Sequence, residues 1–148
     1  MIFETLVIEH RSAIAKGWIA DREGIRHDSN RGFGGQSRTA LKVFRDRLFH
    51  RCELFGWVTN VRSFSPGASG PVLSELLRQM EEASVDAVGL LVLPDDEAFI
   101  PRLITHYGRF GFVPLDDVAT DAVSGEIHTG YPVMILPLTS CAQPRNPR

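Results

Sequence analysis

Apolar and polar positions along the chain fall into short blocks of changing period. Residues 2–8 (IFETLVI) and 13–20 (AIAKGWIA) are rich in β-branched and aromatic side chains, separated by polar residues 10–12 and closed by Asp21-Arg22-Glu23-Gly24. This punctuation predicts a hairpin of two strands. Residues 27–36, with Asn30, Gly32, Gly34 and Gly35, offer little to bury and predict a loop. Ser37 suits a helix N-cap, and Leu41, Phe44, Leu48 and Cys52 then recur at three- and four-residue spacing. That spacing predicts a helix with one apolar face, its flanks and back carrying Arg38, Lys42, Arg45 and Arg47. Residues 56–64 (GWVTNVRSF) alternate as a strand would.

The second half is more sharply punctuated. Ser65-Pro66-Gly67-Ala68-Ser69-Gly70-Pro71 breaks the strand, and Pro71 suits a first helical position, where its missing N–H would have no partner. Leu73, Leu76, Leu77 and Met80 define an amphipathic helix running to about Ser84. Residues 87–93 (AVGLLVL) are continuously apolar and bounded by Pro94-Asp95-Asp96, as expected of a central strand covered on both faces. Phe99, Ile100, Leu103, Ile104 and Tyr107 predict a second helix, residues 111–115 a short strand, and residues 131–138 the last strand. An acidic loop, residues 116–126, joins these two strands, and the last ten residues hold no periodic pattern.

Composition narrows the class. A chain of 148 residues, 43% hydrophobic and 23% charged with nine Phe and two Trp, is expected to be one globular domain and excludes disordered, coiled-coil and collagen-like classes. Residues 1–138 are expected to form it, with an N-terminal part, 1–55, and a core, 56–138, and with 139–148 a flexible tail. The net charge of −2 hides an uneven distribution: residues 26–51 hold seven basic side chains against two acidic ones, a local +5 that leaves −7 elsewhere. This stretch could attract an acidic partner or nucleic acid by long-range charge, or be a solvated helix face. Its few aromatics, Phe33, Phe44 and Phe49, do not make an RNA-stacking platform, so nucleic acid is not expected.

Cys52 and Cys141 lie far apart with no C-x-x-C or paired-His spacing, so neither zinc nor a disulfide framework is expected. Charged residues interrupt the first twenty positions, and no apolar run reaches the roughly 18 residues of a membrane span. A cytoplasmic protein without metal or membrane contact is the expectation, and a homodimer is compatible with the sequence.

The strand-turn-helix at residues 56–84 suggests chemistry. A glycine-containing turn feeding a helix presents free N–H groups at the helix's positive end, a ready anion site. Gly67, Ser69 and Gly70 would let an anion approach, with a hydroxyl from Ser69. Equally, any strand-to-helix turn favours Gly, Ser and Pro. The turn is neither a P-loop nor a G-x-G-x-x-G fingerprint.

Read with its downstream elements, the segment 61–138 resembles the GCN5-related N-acetyltransferase (GNAT) superfamily. The shared pattern is a strand, a pyrophosphate loop of the form Q/R-x-x-G-x-G/A, a helix, a strand, a second helix with a Tyr, and a Gly-Phe pair. Here the loop is Ser65-Pro66-Gly67-Ala68-Ser69-Gly70, the helix end is Tyr107-Gly108-Arg109-Phe110-Gly111-Phe112, and the last strand is Pro132-Val133-Met134-Ile135-Leu136. The chain departs from the pattern at Ser65, where the family has Gln or Arg, at Ala68, where it has its first glycine, and throughout residues 1–55.

The resemblance implies an α/β (α+β) fold with a mixed, mostly antiparallel central sheet flanked by helices. It implies acetyl-coenzyme A as cosubstrate, its pyrophosphate on the N–H groups of Gly67, Ala68, Ser69 and Gly70 and its pantetheine arm along Val61 to Ser63. It also implies N-acetyl transfer to an amine of a small molecule or protein, with Tyr107 protonating the departing thiolate. As a core aromatic beside Ile100, Leu103 and Ile104, Tyr107 would have no such role. No strand carboxylate offers a general base, and His50, Glu53 and His106 are expected on the surface or on helix flanks. The alternative is a non-catalytic binding protein on the same fold that meets an acidic partner or nucleic acid through residues 26–51.

Overall fold

The structure, a computed structural model, describes residues 1–28, 52–92, 97–114 and 132–139. The expected hairpin is β1 (Phe3–His10) and β2 (Ala13–Asp21), antiparallel from Phe3↔Ala20 to His10↔Ala13. Helix α1 (Arg22–Asp28) follows immediately, where the sequence predicts a turn and the start of a loop. Its origin is local: the Asp21 carboxylate accepts the Gly24 N–H at 2.6 Å, which caps the first turn, and Ile25 supplies a buried apolar contact. The remainder of that loop, the basic helix from Ser37, the acidic loop and the tail from residue 140 lie outside the described residues.

Strand β3 (Leu54–Ser63) begins two residues before the predicted strand, and α2 (Ser69–Glu82) also starts two residues early. Pro71 is therefore the third residue of α2 rather than the first. It is tolerated because the first-turn N–H groups have no intrahelical partner in any helix. Strand β4 (Ala87–Leu91), a 3₁₀ turn (Glu97–Phe99), α3 (Ile100–Gly108), β5 (Val113–Pro114) and β6 (Val133–Pro137) complete the order.

The six strands form one sheet in the order β1-β2-β3-β4-β6-β5. Among the described residues only β3 and β4 pair in parallel; the other four pairs are antiparallel. The mixed, mostly antiparallel sheet flanked by helices expected from the sequence is the architecture found. The apolar run at β4 is central, between β3 and β6, and its first four residues are buried, as a strand covered on both faces must be.

Helix α2 packs its apolar stripe, Val72, Leu73, Leu76, Leu77 and Met80, onto the face presented by β1, β2 and β3. The closeness of this packing is set at Gly17, where a Cβ would lie 2.5 Å from the Trp57 carbonyl oxygen and 2.9 Å from the Met80 methyl carbon. Trp18 and Trp57 pair across β2 and β3, and both are buried.

Candidate functional site

The site begins with a break in hydrogen bonding. Parallel pairing of β3 with β4 runs from Phe55↔Ala87 to Val58↔Leu90, whereas β3 continues to Ser63 paired with β2. At the same point the β2–β3 register slips: Lys16 pairs with Asn60 but Gly17 with Val58, which leaves Thr59 as an extra residue. The Thr59 hydroxyl donates to the Lys16 carbonyl at 3.1 Å and holds this bulge in place. A bulge turns main-chain groups out of the ladder and re-aims the neighbouring side chains.

A cleft of about 80 Å³ opens here, lined by Val58, Thr59, Asn60, Val61, Leu90, Leu91 and Tyr107. It sits toward the carboxyl ends of two parallel strands, the end at which open sheets that contain parallel strands commonly receive ligands. Tyr107 reaches it from α3. Its main-chain carbonyl accepts the N–H groups of Phe110 and Phe112 at 3.0 and 3.3 Å, and its ring meets Phe112 edge-on at 6.2 Å between centroids. Burial raises the pKa of the phenol, so near neutral pH Tyr107 carries its proton and can donate a hydrogen bond. The tyrosine thus has both properties raised from the sequence: it packs against the apolar core and it faces a cleft.

The glycine turn lies further along β3. The Ala68 N–H donates to the Ser65 carbonyl at 3.2 Å, with Pro66 and Gly67 between them and Gly67 at φ +76°. Proline then a left-handed glycine is the signature of a type II turn, which explains why Gly67 is glycine. The Ser63 hydroxyl donates to the Ser65 carbonyl and ties the strand end to the turn. Ala68 is the N-cap of α2, makes no side-chain cap, and no acidic residue occupies the first turn. The positive end of α2 therefore has no compensating side chain there, and the N–H groups of Ser69 and Gly70 have no partner within the helix.

Of the residues singled out from the sequence, Val61 and Tyr107 line the cleft together. Ser63, Gly67, Ala68, Ser69 and Gly70 form the strand end and turn beyond it, outside the cleft lining. Within the turn the Ser65 carbonyl accepts both the Ala68 N–H and the Ser63 hydroxyl. Thr59, Asn60, Leu90 and Leu91 were not identifiable beforehand, because a bulge depends on the partner strand and not on local residue type. Asn60, a polar amide inside a strand, is the one hint the sequence offers.

A second cavity of about 750 Å³ lies at the amino end of β3 and β4, lined by Ile2, Asp21, Arg22, Glu23, Glu53, Leu54, Ser84 and Asp86. Main-chain hydrogen bonds from Ile2 and Gly24 hold the Asp21 carboxyl below the usual carboxylate range. Glu53 belongs to this end, and its own N–H bonds the Asp86 carboxylate at 2.9 Å. It therefore cannot serve the cleft. His106 packs against Tyr107 and Phe110 at 5.4 and 5.5 Å between centroids. Among the described residues no cluster of His, Cys, Asp and Glu could hold a metal ion, and no helix is long and apolar enough to cross a membrane.

No family model and no curated protein matches the chain. Among solved structures it is similar in overall layout to FeeM, an N-acyl amino acid synthase from uncultured soil microbes. The TM-score is 0.49 at 14% identity, with 89% of this chain and 71% of that chain covered.

Proposed function

We propose that this chain is an acyl-CoA-dependent N-acyltransferase that moves an acetyl group from acetyl-coenzyme A to an amine of a small molecule or protein. One observation carries the reading: the parallel β3/β4 pair opens, at the Thr59 bulge, into a cleft walled by a protonated, half-buried Tyr107. The residues further along β3 suit the rest of such a substrate. A Cβ at Gly67 or Gly70 would meet nothing within 4 Å, so nothing in the described fold fills the space beside the turn and a phosphate could approach the main chain there. Gly67, Ser69 and Gly70 would hold the pyrophosphate, Val61 and Ser63 would flank the pantetheine arm, and the carbonyl would enter the cleft.

Acyl transfer from a thioester needs three things from the protein. The attacking amine must be neutral and aligned with the carbonyl carbon, the developing oxyanion needs a donor, and the leaving thiolate needs a proton. The N–C bond forms as the C–S bond breaks; the amine loses one proton to solvent, and the sulfur gains one. Tyr107 is the assigned donor to sulfur. The bulge at Thr59 makes a main-chain N–H of β3 the assigned oxyanion donor, since a group outside the ladder is available for a substrate oxygen. No carboxylate lines the cleft among the described residues, so the amine is taken to arrive neutral or to lose its proton through water.

Isothermal titration of the full chain with acetyl-coenzyme A tests this. Saturable heat is expected with the wild-type chain, and Tyr107→Phe should bind comparably but transfer slowly to an amine acceptor. Absence of heat at high micromolar protein and ligand would leave a non-catalytic binding protein as the better reading.

A further inference from the structure

The outer edge of β1 has the marks of an interface. Among the described residues β1 pairs only with β2, and although Glu4 and Glu9 bring charge, its eight residues lack the other usual protections of an edge strand that a sequence and register can show, namely proline, lysine and a bulge. The sequence FETLVIEH holds no proline, lysine or glycine, and its register with β2 is uninterrupted. Natural sheets blunt exposed edges with those devices because unpaired main-chain groups recruit another strand. Val7 is 55% exposed in the middle of this edge.

The phase of the ladder shows which groups point outward. The Asp21 N–H donates to the Ile2 carbonyl at 3.2 Å, so Ile2 and then every second residue of β1 directs its main-chain groups toward β2. Thr5, Val7 and Glu9 therefore direct theirs away from the sheet. Antiparallel pairing of β1 with its own copy must place outward residues opposite outward residues, which leaves few registers. One about Leu6 sets Glu4 against Ile8, and one about Ile8 keeps only the last part of the strand paired. A register about Val7 sets Glu4 opposite His10, Thr5 opposite Glu9, Leu6 opposite Ile8 and Val7 opposite itself. Each carboxylate then faces a hydrogen-bonding side chain, and the apolar residues face each other on both sides of the sheet.

We propose that two copies of this chain join edge to edge through β1, antiparallel and centred on Val7, to make one continuous sheet. Leu6 and Ile8 belong to the face covered by α2, so their pairing across the axis joins the two apolar cores. Val7 pairs with Val7 of the second copy on the opposite face and covers its exposed surface. His10, an even-numbered residue of β1 like Leu6 and Ile8, shares their face of the sheet, where Glu4 of the second copy arrives.

Sedimentation of the full chain over a range of concentrations tests this. A reversible species of twice the chain mass is expected. Val7→Pro removes an outward N–H without touching the β1–β2 ladder and should give a folded monomer. Glu4→Lys should raise the dimer dissociation constant about tenfold or more, His10→Glu likewise, and the double variant should return it to within about threefold of wild type. A wild-type chain that stays monomeric, a dimer unmoved by the charge substitutions, or a double variant no better than the single ones would overturn the proposal. The charge variants decide the matter even if Val7→Pro fails to fold.

Discussion

The Thr139 hydroxyl donates to Asp86 Oδ1 at 2.9 Å, and this bond is one of several through which a single aspartate gathers three strand ends. Its Oδ2 accepts the N–H groups of Glu53 and Leu54 at 2.9 and 3.2 Å, at the start of β3. Its main-chain carbonyl accepts those of Leu138 and Thr139 at 2.9 and 3.1 Å, just past β6. Asp86 immediately precedes β4, so the central parallel pair and its antiparallel neighbour are aligned by the same residue. Asp86→Ala leaves two N–H groups without their acceptor and should cost about 2–3 kcal/mol, a melting temperature lower by roughly 5–10 °C. Thr139→Ala removes one hydroxyl and should cost about 1 kcal/mol. Thermal denaturation of both variants checks the ranking; equal losses would show that the carboxylate contacts at β3 contribute little.

Tyr107 ties the stability of the fold to pH. Burial raises its pKa above the ordinary 10.0, so the folded chain keeps the phenol neutral where an unfolded chain would ionise it. The folded state is thus undisturbed by this residue below pH 10 and loses stability as pH rises from about 10 through the folded-state value. Tyr107→Phe should flatten that alkaline decline while leaving the neutral-pH melting temperature nearly unchanged. Under the proposed function, the same substitution should lower kcat for acetyl transfer by about 10²-fold with little change in acetyl-coenzyme A affinity. Turnover that is unchanged would remove Tyr107 from the chemistry and leave it a packing residue.

How far these features could be read from the sequence depended on what each one rests on. The β1–β2 hairpin and the β4 run were legible because alternation and continuous apolarity report directly on one-sided and two-sided burial. Helix α1 was not, since Arg22–Asp28 holds a single strongly apolar residue, Ile25, and its start relies on the Asp21 cap. The early start of α2 escaped because the turn Ser65-Pro66-Gly67-Ala68 closes within four residues and delivers the chain to helix before Pro71. Tyr107 was legible as a candidate through its place in a helix-end pattern. The cleft it faces was not, because Val58 and Leu90 meet through strand pairing and Tyr107 joins them from α3, all across long separations in the chain.

Packing of α2 on the sheet gives a ranking of small substitutions. At Gly17 an added methyl would meet the Trp57 carbonyl oxygen, a main-chain atom that cannot move alone, at 2.5 Å. At Gly56 the nearest atom, at 2.8 Å, is Met80 Sδ, part of a flexible side chain that can yield. Gly17→Ala should therefore destabilise by about 2–3 kcal/mol and Gly56→Ala by about 1 kcal/mol. Urea denaturation with unchanged slopes would report both, and the reverse order would mean that Met80 rather than the β3 backbone limits the approach of α2.

Ser84 is a residue in a glycine's place. It follows α2 at φ +65°, and the Val85 N–H donates to the Met80 carbonyl at 3.2 Å, the long bond that closes a Schellman-type helix end. A side chain in the left-handed region is strained where glycine is not. Ser84→Gly should stabilise the chain by about 0.5–1 kcal/mol, read as a melting temperature higher by roughly 1–4 °C. A decrease would show that the serine side chain contributes more than its backbone strain costs.

Gly70 separates the demands of the fold from those of a ligand. It lies in the first turn of α2, has ordinary helical backbone, and an added Cβ would meet nothing within 4 Å. On folding grounds alone alanine is the better residue, since glycine in a helix costs about 0.5–1 kcal/mol relative to it. If the turn receives the pyrophosphate of acetyl-coenzyme A, the same methyl intrudes where the anion must approach the main chain. Gly70→Ala should then raise the melting temperature by roughly 1–4 °C and weaken acetyl-coenzyme A binding about tenfold, so that fold and function move in opposite directions. Titration calorimetry and a thermal melt on one preparation measure both. A variant more stable and equally tight would place the phosphates elsewhere, while one that binds normally but melts lower would mean that Gly70 serves the helix start and not a ligand.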